Sequence, residues 1–456
     1  MDGYTMSIDM VIDHNGVIHV VWDWRMTSTY WLIMYSKSEN DGYTWSEPTD
    51  LLHNTDLWMS QPHIACDSEN KLYVTYTYDG HYWTPEGRLI KMIDWDGQQW
   101  SESVVVSEVM PGSHHNRIKI DYNNRLYIRW DYEPTGDDYI RISESNTWYD
   151  QFCPYPGSEE IYALVEADVD SSNSLHWIGG SSSINYYGER LKYFFYEYLT
   201  NKWYAPQNLT NDTILEWPDI KLNNDDIPEI VYRKTSTNSV GDATDSAIHT
   251  IRAGIVWLPP DLVSGTDKQQ KRQQIAIDKN NCAHVVEVEY YNSPNSENEI
   301  VHYYYNEKEW VCQPIDSATH MVNYPKMVFS GNQIYVVYYK GDAVFSGDIW
   351  ISKYDVITSV KDKVQENTNL KIYPNPSLGD INIEFSNNEH QHINLSVFDM
   401  SGKLIKTLCN KTLPPGRQRL LWNGTDKNGK EVQSGSYLVR LKTGSKTAAQ
   451  IVEIIK

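Results

Sequence analysis

The apolar positions of this chain fall into one recurring phrase. An alternating strand runs into Asp or Asn, two or three turn residues follow, and a second strand ends in an aromatic residue. The copies are "SIDMVIDHNGVIHVVW", "HIACDSENKLYVTY", "RIKIDYNNRLYIRW", "EADVDSSNSLHWIG", "DIKLNNDDIPEIVY", "QIAIDKNNCAHVVE" and "KMVFSGNQIYVVY". The turn marker runs Asp13, Asp67, Asp121, Asp170, Asn223, Asp278 and then Ser330, about 49–55 residues apart. Period-two alternation on both sides of an Asp/Asn-rich centre predicts a β-hairpin, because these side chains bond their own backbone and tolerate positive φ. Most copies continue into a third strand and a turn ending in Trp, as in "WLIMYSKSENDGYTW" and "RLIKMIDWDGQQW". Three strands and a short fourth make a blade. The pattern therefore predicts an all-β chain that opens with a seven-bladed β-propeller. No helical periodicity lies between the strands.

The pattern changes after Lys361. "KDKVQENTN" (361–369) reads as a polar linker. From residue 370 to 456, strands separated by "SG", "NG" and "SGS" turns predict a small antiparallel β-sandwich, and "WNGTDKNGKEVQSGSYLVRL" resembles Ig-like domains of the flagellar hook-capping type, which implies an Ig-like β-sandwich. The expected organisation is thus a propeller over 1–360, a linker over 361–369 and a sandwich over 370–456.

Composition narrows the partners. The 456 residues carry a formal net charge of −22, which repels phosphate backbones, so no nucleic acid is expected. A polyanionic glycan would need a local basic patch. The 34 Tyr and 17 Trp against 7 Phe suit wet concave surfaces such as sugar sites, and equally the faces of many strands. Five scattered Cys give neither a disulfide framework nor a zinc spacing. No apolar run is long enough for a transmembrane segment. No cofactor is expected, and no metal motif is read: "NNDD" (223–226) occupies a hairpin turn. A monomer is expected.

"SENDGYTW" (Ser38 to Trp45) resembles the Asp-box turn of BNR-repeat, sialidase-like propellers, with Asn40 where that family has Asp. The sandwich closely resembles the C-terminal sorting domain of the type IX secretion system. The match rests on Tyr373-Pro374-Asn375-Pro376, on the Asp399–Gly402–Lys403 turn and on the closing strand pair. That resemblance implies recognition by the type IX secretion machinery, a Gram-negative bacterium, and a secreted or cell-surface location. The route implies a signal peptide, but "MDGYTMSIDMVIDHNG" has neither a basic n-region nor an apolar h-region. The expectation is that a leader and a closing propeller strand belong upstream, or that Val356–Val360 supplies that strand.

In a propeller, ligands bind at the mouth of the central channel. Residues just before inner strands are His63, His114, His115, Asn116, Arg117, Glu216, Trp217, Arg272 and Lys326. Loop candidates are Trp24, Arg25, His81, Trp83, Asp137, Asp138, Tyr186, Tyr187, Arg233, Glu289 and Tyr291. Of these, Trp24, Arg25, His63, Trp83, Trp217, Arg233 and Arg272 are the candidate ligand-binding residues. The sialidase resemblance implies three Arg gripping a carboxylate, drawn from Arg25, Arg117, Arg233 and Arg272. The family's Arg-Ile-Pro opening is absent from "YTMSIDMVID". "PGSHHNRIKID" (Pro111 to Asp121) resembles the His-Asn phrase of propeller lyases that cut uronic-acid polysaccharides. It implies His114 or His115 as base, Arg117 as carboxylate neutraliser, and Tyr132, Tyr186 or Tyr187 as acid. Solvated loop histidines are the competing reading. His19, His176 and His284 lie inside second strands and are expected to be packing residues. The three functional readings are a glycan- or protein-binding surface propeller, a glycan lyase or hydrolase, and an adhesion scaffold.

Overall fold

The computed structural model describes every residue except 1–2, 27–30, 53–57, 80–86, 108–111, 133–136, 156–161, 182–189, 210–214, 238–242, 255, 266–268, 291–297, 307–308, 319–320, 344–345, 356–369, 378–379, 388, 400–402, 444–445 and 456. All regular elements among the described residues are strands. Contacts divide the chain into two compact units. One is Met1–His249 with Leu262–Tyr303 and Cys312–Val356; the other is Thr250–Asp261 with Tyr304–Val311 and Ile357–Lys456.

Among the described residues, seven antiparallel sheets follow one another from the N-terminus. Their first strands are Ile8–Ile12, Trp58–Cys66, Ser113–Ile120, Tyr162–Val169, Leu215–Leu222, Gln269–Ile277 and Met321–Ser330. Each first strand lies against the next, and the seventh returns to the first. The seventh sheet has three strands among the described residues; Val356–Val360 lies outside them. Apolar side chains of neighbouring sheets meet face to face. Ile8, Val20 and Trp22 of the first sheet pack on Tyr335, Val337 and Tyr339 of the seventh, so burial closes the ring. Fully burying one such side chain is worth roughly 1.5–3 kcal/mol.

The hairpin markers show why the repeat is legible. Oδ1 of Asp13, Asp67, Asp121, Asp170 and Asp278 accepts the N–H groups two and four residues on, at 2.8–2.9 Å. Asn223 does the same at 3.0 and 3.1 Å. The position three after the marker has positive φ in six copies, at Gly16, Asn70, Asn124, Asn173, Asp226 and Asn281; in the seventh, Gly331 directly after Ser330 has it. The second marker oxygen faces a side chain of the following strand, including His176 at 3.1 Å, His19 at 3.6 Å and His284 at 3.7 Å. Those three histidines are buried packing residues, as expected.

The stretch 38–45 is a turn sewn by its own polar atoms. Asn40 Oδ1 accepts from Thr44 N–H at 2.9 Å, Ser38 Oγ from Gly42 N–H at 2.9 Å, and Trp45 Nε1–H donates to Gly42 O at 3.2 Å. Gly42 has φ +82°, where L side chains are strained. Gly42→Ala is expected to cost about 1–2 kcal/mol, read as a lower urea midpoint with an unchanged slope.

In the second unit, Lys371–Tyr373, Ile381–Asn387 and Gly416–Trp422 form one sheet. Gln391–Asp399, Leu404–Leu413, Gly435–Thr443 and Lys446–Ile454 form another. Ile383, Phe385, Leu395, Val397, Trp422, Val439 and Leu441 fill one core between them. The Tyr373–Pro374 and Asn375–Pro376 peptides are both cis. Asn375 clasps the last strand, donating to Ile451 O and accepting from Glu453 N–H, both at 2.8 Å. Asp399 Oδ1 accepts from Lys403 N–H at 3.0 Å; Gly402 lies outside the described residues.

Candidate functional site

A repeated β-bulge builds the site. In sheets two to seven the pairing of first and second strand slips near the start of the first strand, at Ser60/His63, His114/Arg117, Leu164/Glu166, Glu216/Asp219, Lys271/Gln274 and Asn323/Lys326. Gln61, His115, Arg272 and Tyr324 sit within these bulges with φ between +51° and +58°. Left-handed backbone is costly for such residues, so the surrounding ladder must enforce it. A bulge also breaks side-chain alternation. It therefore separates two tiers of first-strand residues.

The tier just after the bulge is an ionic ring. Asp9, His63, Arg117, Glu166, Asp219, Gln274 and Lys326 occupy the equivalent register in the seven first strands. His63 Nδ1 lies 3.0 Å from Asp9 Oδ2 and His63 Nε2 lies 2.8 Å from Arg117 Nη1. Because the guanidinium only donates, Nε2 accepts and Nδ1–H donates to Asp9. Arg117 also pairs with Glu166 at 3.3 Å, Lys119 with Glu166 at 2.6 Å, and Lys326 with Asp9 at 3.8 Å. Burial pushes the His63 imidazole down to about 4, helped by Arg117. Burial and then the Glu166 charge push the Asp219 carboxyl up to about 6. Asp219 also accepts the Ile220 and Ile275 N–H groups, each at 2.9 Å, joining the fifth sheet to the sixth. His63, Arg117 and Lys326 are thus brought together by the fold and held in this ring.

The tier before the bulge gathers the histidines. His114 and His115 rings stand 4.2 Å apart between centroids. His114 Nδ1–H donates to Gly112 O at 3.0 Å, and His115 Nδ1 lies 3.1 Å from Asp131 Oδ2. The His114 ring thereby turns its Nε2 lone pair away from Gly112. The His115 N–H donates to Gln61 Oε1 at 2.9 Å, and Asn116 Oδ1 accepts from Thr75 Oγ1–H at 2.6 Å. Arg129 holds the far side: it ion-pairs with Asp131 and Asp138 and donates to His115 O at 2.9 Å. Asp138 accepts the Leu164 N–H, tying the third sheet to the fourth. Burial pushes His115 down to about 3 against the pull of Asp131.

A cation–aromatic stack forms at the strand ends of the first two sheets. The Arg25 guanidinium lies 3.4 Å over the Trp31 ring and 5.6 Å from the Tyr4 ring. Trp31 stacks on Trp58 at 5.1 Å and 14°. Arg25 also reaches Asp23 at 3.5 Å. Arg272 lies 4.1 Å over Tyr324. Trp24 is covered by the N-terminal segment: a Cβ on Gly3 would meet its ring at 2.6 Å. Arg233 is buried against Asp245 at 3.4 Å. Glu289 is buried and accepts from Tyr303 O–H at 2.6 Å. His81, Trp83, Tyr186, Tyr187 and Tyr291 lie outside the described residues, and of Glu216 and Trp217 only the backbone is described.

Gln61, Arg129, Asp131, Trp31, Trp58, Tyr4 and Tyr324 are site residues absent from the sequence candidates. The repeat held a signal for two of them. Gln61 and Tyr324 stand two residues before His63 and Lys326, as His115 stands before Arg117.

Residues 371–455 match the family model of the secretion system C-terminal sorting domain. No curated protein matches the chain. Among solved structures, two of a PL25-family ulvan lyase align with TM-scores of 0.54 and 0.55 at 11 and 12% identity. Each alignment covers 78% of this chain and 94% of that one. An intramolecular trans-sialidase from Ruminococcus gnavus aligns at a TM-score of 0.42 and 12% identity over 77% of this chain and 94% of its own, too distant to carry an argument. The lyase likeness shows the fold alone. With the type IX sorting domain at its C-terminal end, the chain is a secreted or cell-surface protein of a Gram-negative bacterium.

Proposed function

We propose that the seven sheets are the blades of a BNR/Asp-box, sialidase-like β-propeller over residues 1–360. A linker over 361–369 joins it to an Ig-like sorting domain over 370–456. The propeller's role is to bind an acidic glycan at the channel mouth. The observation that carries this reading is the Arg25–Trp31–Trp58 stack, with Arg25 3.4 Å above Trp31. Aromatic faces suit the C–H face of a sugar, and a guanidinium suits a carboxylate or sulfate. The PL25 ulvan lyase, solved with a ligand containing GlcA and Rha3S, supports the same class. Arg25→Gln is expected to weaken binding of a uronate-containing glycan roughly tenfold or more, the worth of one charge-assisted hydrogen bond, and to leave neutral glycans unaffected. A glycan array followed by calorimetry measures this; silence of the wild-type chain across the array would remove the reading.

A second reading, in which the chain cleaves the glycan, is favoured by one observation: His114 and His115 stand side by side next to Asp131. A lyase needs a base for the C5 proton. Ultraviolet absorbance of the new C=C bond conjugated to the carboxylate reports an unsaturated uronate product. A wild-type chain releasing none, or a His114→Ala/His115→Ala chain releasing as much, sinks this second reading.

A further inference from the structure

We propose that His114, His115 and Asp131 form a binding site for a divalent transition-metal ion of the zinc class. One ligating atom from each lies within 4.8 Å of the others. Neighbouring strand residues normally point to opposite faces. The bulge at His115, φ +51°, cancels that alternation and sets two consecutive imidazoles side by side. Asp131 reaches them from the adjoining strand, where it pairs with His114.

The distances suit an ion. Ligands at 2.0–2.1 Å in a tetrahedral site stand roughly 3.3 Å apart. His115 and Asp131 are already at 3.1 Å. A ligating atom of His114 lies within 4.8 Å of both, and its Nδ1–H···O contact to Gly112 orients the ring, as outer partners of metal-bound histidines do. Arg129 holds Asp131 Oδ1 and Asp138, which leaves Asp131 Oδ2 turned toward His115. Two imidazoles and a carboxylate are a borderline donor set that favours zinc, cobalt or nickel over magnesium or calcium. Three protein ligands leave a position for water or a ligand oxygen, the arrangement of reactive rather than purely structural sites. His114 and His115 are both partly exposed, which gives the ion a path in. No sequence spacing announces such a set, because its geometry comes from a bulge and a strand pairing.

The test uses the full chain stripped of metal and titrated with cobalt(II), then zinc(II), without any glycan. One equivalent of cobalt with visible d–d absorption, displaced by zinc, is expected. His114→Gln and Asp131→Asn should each weaken binding at least about tenfold, the cost of disturbing even an outer partner of a metal ligand. Circular dichroism on each variant shows whether it remains folded. The wild-type result stands independently should Asp131→Asn not fold. Absence of the cobalt band in the wild-type chain overturns the site. So does undiminished binding in folded His114→Gln, which would point to the stacked His284–His302 pair instead. Because no glycan enters the titration, its outcome is separate from that of the binding reading.

Discussion

Arg129→Met is expected to destabilise the first unit by about 3–5 kcal/mol, the cost of breaking a buried ion pair by removing one partner. Arg129 is 3% exposed and is shared between Asp131 and Asp138, themselves 9% and 4% exposed. Removing it leaves two carboxylates facing each other without a cation, and it takes away the donor to His115 O. Burial already pushes Asp138 well above the ordinary carboxylate range against the pull of Arg129. Burial would raise Asp131 too, but the Arg129 charge brings it below. In the variant both carboxyls move up, so the folded variant binds protons more tightly than the wild type. Its deficit is therefore largest at neutral pH and shrinks as pH falls. Urea unfolding at pH 7.5 and pH 5 reads both effects. Adding Asp138→Asn should recover part of the loss, since one buried charge disappears. Equal midpoints for wild type and Arg129→Met would show that these carboxylates do not depend on the guanidinium.

The same residues show what local pattern can and cannot reveal. Asp67 or Asp121 is readable from a few neighbours because its partners are N–H groups two and four residues away. The "SENDGYTW" turn is legible for the same reason: the bonds of Ser38, Asn40 and Trp45 that shape it fall within the stretch. Arg117 is the opposite case. A basic residue opening an apolar alternation looks like a rim residue, yet its partners His63 and Glu166 come from the neighbouring sheets, about fifty residues away on either side. Alternation also fails at a bulge, so "SHHNRIKI" does not announce that His114 and His115 lie side by side. Asp131 stands next to last in its strand and Trp31 opens one, positions that no periodic rule marks. The repeat located the tier of residues; the pairing register decided which of them face one another.

Asp219→Asn is expected to change the pH dependence of stability more than stability itself. Burial first, and the Glu166 charge second, raise the Asp219 carboxyl to about 6, while Lys221 and Lys326 oppose the rise. A carboxyl with a raised folded-state pKa is better tolerated neutral. Its contribution is fully present below the unfolded value near 4 and is lost as pH rises through 6. The wild type should therefore lose roughly 2 kcal/mol between pH 4.5 and pH 7.5 from this group, at about 1.4 kcal/mol per pKa unit. Asparagine has no such titration. It does lose something at every pH: one oxygen cannot accept both the Ile220 and the Ile275 N–H groups, at a cost of about 1–3 kcal/mol. That cost is the same at both pH values and cancels in the comparison. The stability gap between wild type and Asp219→Asn should consequently be widest at pH 4.5 and narrow by roughly 2 kcal/mol by pH 7.5. Urea midpoints and slopes for both chains across that range give the gap directly. A gap that stays constant would mean that Asp219 is charged throughout, compensated by Lys221 and Lys326. The ionic ring would then be fully ionised, held together by attraction alone, rather than carrying a proton that relieves the Glu166–Asp219 repulsion.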